Sequence, residues 1–199
     1  MNALASGLRL ATVLVTLGAV SAYAAQQMIP TQRLFVRNPD VGGDATKRRM
    51  FFKSKSGLGS LNTVVGDPMI SGATLHVRLA SGVEQCFDLP PAGWSAISTL
   101  GFVYTDFDGP GAVTKASIKR GPSGVMAIKM SLSGRLGPLD IIPTPGETGF
   151  DVNIALVGGD EYCAGGSTPP GATSTDKVYK ANNLSVPGSC GVTACAPGF

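Results

Sequence analysis

A single histidine, four cysteines and a scatter of carboxylates are what this chain offers for chemistry. His76 is the only imidazole, so any Ser-His or Cys-His nucleophile would have to use it. It lies on the polar side of an alternating run, where a solvent-facing histidine is the plain reading. Ser174-Thr175-Asp176-Lys177 has the Ser-x-x-Lys spacing of penicillin-binding enzymes, a chemistry that needs the lysine one helical turn from the serine. Here the pair sits in a loop without a companion Ser-Asp-Asn or Lys-Thr-Gly, and the match is by chance. Gly-x-Ser-x-Gly, a Walker loop and His-Glu-x-x-His are all absent. The expectation is a protein with no catalytic residues, not an enzyme.

Oxygen ligands are sparse. Asp106 and Asp108, followed by Gly109, form part of a calcium loop, since alternate carboxylates on a tight turn can converge on one cation. The third carboxylate and the distant glutamate of such a loop are missing, and Asp-Gly also furnishes ordinary turns. Asp40 and Asp44, flanking Gly42-Gly43, are looser still. Calcium is therefore the one cofactor to consider, and otherwise none is expected. Trp94 and Tyr104 could stack on a sugar ring. In a chain so poor in aromatics, a lone tryptophan is more often a core pin.

Cys86, Cys163, Cys190 and Cys195 allow three disulfide connectivities, and spacing alone does not choose among them. A Cys163 to Cys190 bond would tie the end of a hairpin to the tail, a constraint worth about 3 kcal/mol in chain entropy. Cys86 and Cys195 would then pair or stay free. No Cys-x-x-Cys exists, which argues against zinc or redox chemistry.

The elements that must position these residues are strands. Phe150, Val152, Ile154 and Leu156 alternate with Asp151, Asn153 and Ala155, the period of a strand with one face in a core. Gly158-Gly159 then turns the chain, and a second strand carries Cys163 inward. Ala73 to Leu79 and Val83 to Leu89 alternate in the same way about Ser81-Gly82, predicting a second hairpin. Shorter runs lie at 33–36, 50–53, 102–105, 113–119, 125–132, 139–142 and 178–181, separated by Gly- and Pro-rich turns. No window outside the N-terminus has a helical period. The expected fold class is all-β: an antiparallel β-sandwich of about nine to eleven short strands.

Residues 1–24 read as a signal peptide: Arg9, an apolar run from Leu10 to Val20, and Ala22 and Ala24 at the two positions a signal peptidase inspects. The run is too short to span a bilayer. The domain plan is then a signal peptide over 1–24, a flexible leader over 25–32, a single sandwich over 33–190 and a tail over 191–199. The expected location is secreted or periplasmic, without stable membrane insertion. Removing Arg9 leaves 15 basic against 13 acidic residues, a net charge too small to imply nucleic acid or an acidic surface. Lys47-Arg48-Arg49 with Lys53 and Lys55 is the basic cluster, read as a solvated strand edge that discourages edge pairing.

Several segments resemble one family, a group of β-rich domains of no assigned activity in secreted proteins of Gram-negative bacteria. They are Lys47-Arg48-Arg49 before Phe51 to Lys55, Gly72 to Leu75, Leu89-Pro90 through Trp94, Gly101 to Asp106, Tyr162-Cys163, and Lys180-Ala181 leading to Pro187 and Cys190. The resemblance spans roughly Arg33 to Cys190. It implies an exported β-rich fold and a Cys163 to Cys190 bond, with Cys86 and Cys195 as additions, and it implies no activity.

The functional expectation is an exported, non-enzymatic β-sandwich acting by surface contact, as an adhesion, envelope or matrix component whose partner is a protein or a glycan. The alternatives are a glycan- or calcium-binding module, and a hydrolase whose carboxylates come together only in the fold.

Overall fold

The computed structural model describes residues 25–97, 100–106 and 109–198. The signal peptide expected over 1–24 lies outside these residues. Thirteen strands follow in chain order among the described residues. They are β1 (Gln26–Met28), β2 (Thr31–Arg37), β3 (Arg49–Lys55), β4 (Ala73–Leu79), β5 (Glu84–Leu89), β6 (Trp94–Ala96), β7 (Gly101–Thr105), β8 (Val113–Arg120), β9 (Met126–Ser133), β10 (Gly149–Leu156), β11 (Glu161–Ser167), β12 (Thr173–Ser174) and β13 (Val178–Asn182). A single turn of helix, α1 (Pro68–Ser71), precedes β4. No helix among the described residues is long and apolar enough to cross a membrane.

The strands form two sheets packed face to face, an all-β sandwich. One has five strands in the order β1-β11-β10-β4-β5, and the other has eight in the order β12-β13-β2-β3-β9-β8-β7-β6. Alternation decides which side chains meet between them. Leu75, Val77, Phe87, Val152, Ile154 and Tyr162 from the first sheet face Leu34, Phe52, Ile118, Ile128, Met130 and Tyr179 from the second. The hairpin β10–β11 sits in the middle of the five-stranded sheet, as its apolar alternation demands.

Three sequence expectations change. The flexible leader over 25–32 is instead β1 and the start of β2: Gln26 to Met28 pair in parallel with Glu161 to Cys163, and Ile29 is fully buried. The run 139–142 is not a strand. It crosses the open flank of the sandwich, with Leu139 and Ile141 buried and its backbone held by Gln85 and Arg48. The tail over 191–199 is packed as far as Cys195, so the folded unit extends past the 33–190 expected on both sides.

Candidate functional site

Trp94 and Tyr104 do come together, as a directly opposed pair on β6 and β7 with ring centroids 5.3 Å apart. Both rings lie in the core rather than on a platform, with exposures of 6% and 1%. Trp94 Nε1 donates to the Leu89 carbonyl at 3.1 Å. The sugar-stacking reading of the pair is therefore corrected, and the core-pin reading of Trp94 is the one its burial supports. Asp106 commits its carboxylate to its own turn: Gly109 N–H donates to Oδ1 at 2.6 Å and the Tyr104 hydroxyl to Oδ2 at 3.2 Å. Asp108 lies outside the described residues. Nothing described converges on Asp106 as a cation site.

Tyr104, Asp106 and Asp88 line a cleft of about 380 Å³ beside the outer edge of β5. Burial, then the charge of Asp106 and its hydrogen bond, push the Tyr104 phenol up, so it remains a donor there.

The cysteines pair as Cys86–Cys195 and Cys163–Cys190. Cys163 points outward from the five-stranded sheet, not inward, because its neighbour Tyr162 takes the core position. Cys86, His76, Asn153 and Cys163 stand opposite one another on β5, β4, β10 and β11, one continuous cross-strand row. The segment Cys190 to Cys195 lies along this row, bonded at each end. Three strand spacings are about 14 Å, and five extended residues reach about 16 Å, so the interval between the two cysteines matches the crossing.

Side chains from beneath hold the carbonyls of this strap. Arg78 Nη2 donates to Gly191 at 2.6 Å, Asn153 Nδ2 to Val192 at 3.1 Å, and His76 Nδ1 to Thr193 at 2.9 Å. His76 is thus covered, with 13% of its side chain exposed and Nε2 3.4 Å from Glu84. It is a strut and not a solvent-facing residue. Two sets of potential metal ligands, His76 with Cys86 and Cys195 and Glu161 with Cys163 and Cys190, have their sulfurs consumed in disulfides. Ser174 is also committed, donating to the Thr144 carbonyl and accepting from Glu147 N–H.

The outer face of the eight-stranded sheet is different. Its strands carry two cations on β2, three each on β3 and β8, and one each on β9 and β13, but no Asp or Glu. Because Leu34, Phe52, Ile118 and Ile128 point into the core, Arg33, Lys53, Lys115, Lys119 and Lys129 point out. Lys53 stands opposite both Arg33 and Lys129, and Arg37 stands opposite Arg49. Between these rows Phe35 faces Phe51, with the Arg33 guanidinium 5.5 Å from the Phe35 ring centroid.

Among the described residues, none of the outward cations on these strands is within ion-pair distance of a carboxylate. Lys47 and Arg48 are the neutralised members of the basic cluster, paired with Asp40 and Asp140. The strand-edge reading of the others is corrected, since β3 lies between β2 and β9 in mid-sheet. Summing charge over the chain concealed this face. Its signal is a period of two, as in Arg33-x-Phe35-x-Arg37 and Arg49-x-Phe51-x-Lys53-x-Lys55.

No protein-family model, no curated protein and no solved structure matches the chain.

Proposed function

We propose that this is an exported, non-catalytic module that adheres to an acidic polysaccharide through the outer face of its eight-stranded sheet. The observation that carries the reading is the set of directly opposed like charges, Arg33 with Lys53, Lys53 with Lys129 and Arg37 with Arg49. Such pairs destabilise a sheet. Their cost is offset when a polyanion lies across them, and no carboxylate on these strands takes that place.

The two disulfides support an oxidising, extracytoplasmic setting. That setting favours a carboxylated or phosphorylated glycan over nucleic acid. Leu58 and Leu61 are exposed on the loop after β3, which packs on the β8–β9 turn at one end of the basic strands, so anionic vesicles are an arm of the test. Phe35 and Phe51 offer apolar area between charged rows, as a sugar backbone between its anionic groups requires.

The test is retention of the mature protein on immobilised polygalacturonate, with neutral dextran, single-stranded DNA and anionic phospholipid vesicles as comparisons. Binding to polygalacturonate that weakens steeply with salt is expected. Equal retention on dextran, or preference for DNA or vesicles, overturns the reading.

A further inference from the structure

Asp160 is fully buried in the turn joining β10 to β11, and no Lys, Arg or His among the described residues reaches it. Its Oδ2 accepts from Thr63 Oγ1 at 2.8 Å and Val65 N–H at 2.7 Å. Its Oδ1 has one partner, the backbone nitrogen of Ala25 at 3.3 Å. The site is built around that approach. The Ala25 carbonyl accepts from Glu161 N–H at 3.0 Å, β1 runs in register beside β11, and Gln27 exchanges bonds with Thr63 on the far side. A buried carboxylate held only by neutral donors is costly, and a cation at Oδ1 removes that cost.

We propose that cleavage of the Ala24–Ala25 bond supplies this cation, making Ala25 a structural N-terminus whose ammonium pairs with Asp160. The step is hydrolysis by an endopeptidase selecting small residues at Ala22 and Ala24. Water adds to the Ala24 carbonyl, the C–N bond breaks, Ala24 leaves as a carboxylate, and the Ala25 amine takes up a proton. The nitrogen changes from an amide with one N–H to an ammonium with three, at the place where a charge is missing. This inference rests on residues 1–24 being an export signal and is independent of what the basic face binds.

The experiment begins with N-terminal sequencing of the exported protein, where Ala25 is expected and any other start overturns the proposal. The melting temperature is then compared for chains starting at Ala25 and at Ala24, each with the native Asp160 and with the Asp160→Asn substitution. Extension by one residue moves the ammonium off Asp160. A fall of roughly 10 °C is expected in the native background, and little change in the Asp160→Asn background, where no carboxylate charge is left to pair. Equal shifts in both backgrounds, or none in the native one, overturn the proposal. Should Asp160→Asn not fold, the Ala25 amine is titrated in the native chain. Its pKa should lie above the ordinary value of about 8, with stability intact below that value and lost as pH rises through the folded one. An ordinary value overturns it. Polygalacturonate retention is expected to be the same for both starts, so failure here is distinct from failure of the adhesion reading.

Discussion

Cys86 and Cys163 lie on one cross-strand row with two strands between them, and each fastens one end of the segment from Cys190 to Cys195. The segment is close against the sheet. A Cβ on Gly191 would come within 2.0 Å of the Asp151 carboxylate, so a side chain there would have to displace Asp151 from its ion pair with Arg78.

Replacing Cys86 and Cys195 together by serine is expected to lower stability by about 4 kcal/mol, since that bond closes a long loop. Denaturant unfolding measures the loss. The same variant should expose His76 to an imidazole-acylating reagent that leaves the native protein unmodified. Continued protection of His76 would show that the strap holds without its outer bond.

Lys53→Glu separates stability from adhesion. Removing two opposed like-charge pairs should stabilise the free protein by about 1 kcal/mol, read as a rise in melting temperature of about 3 °C. Retention on polygalacturonate should fall at least roughly tenfold. A variant that loses both together would indicate damage to the sheet, and one that binds as before would place the ligand elsewhere.

Alkaline titration should show no tyrosinate absorbance before unfolding. Past residue 24 the tyrosines are Tyr104, Tyr162 and Tyr179, and burial pushes all three phenols up, helped at Tyr162 by the charge of Asp160. Unfolded tyrosine ionises near pH 10, so stability is complete below that value. Above it, each phenol removes about 1.4 kcal/mol per pH unit until its folded value is passed. Gradual ionisation near pH 10 with the fold intact would mean that these rings are hydrated.

The fold was legible wherever one face of a strand is apolar. Phe150 to Leu156, Ala73 to Leu79 and Val83 to Leu89 alternate so regularly that pairing and burial followed. β1 was not legible, because Gln26-Gln27-Met28 has no apolar period. Its place is set by distant partners, Gln27 on Thr63 and Ala25 on Asp160. Leu139 to Ile142 carries a strand's composition, yet flanking prolines and the side chains of Gln85 and Arg48 hold it outside any ladder. Of the two readings of Trp94, the core pin holds and the sugar platform with Tyr104 does not, and period alone could not choose because it does not say which side of β6 and β7 is wet. The basic face was written in the strands, but its charge is balanced by acids on other elements, so the sum hid it.

The chain enters the five-stranded sheet at β1 on one margin and leaves it from Cys195, bonded to β5 on the other. Tension between those two points pulls across the strands, the direction in which a sheet opens by breaking its ladder bonds one after another. Cys190 to Cys195 runs along that line and is covalent throughout, like a batten nailed across planks. The strap joins β11 to β5 and so bridges every ladder of this sheet except β1–β11, which alone can open without straining a covalent tie.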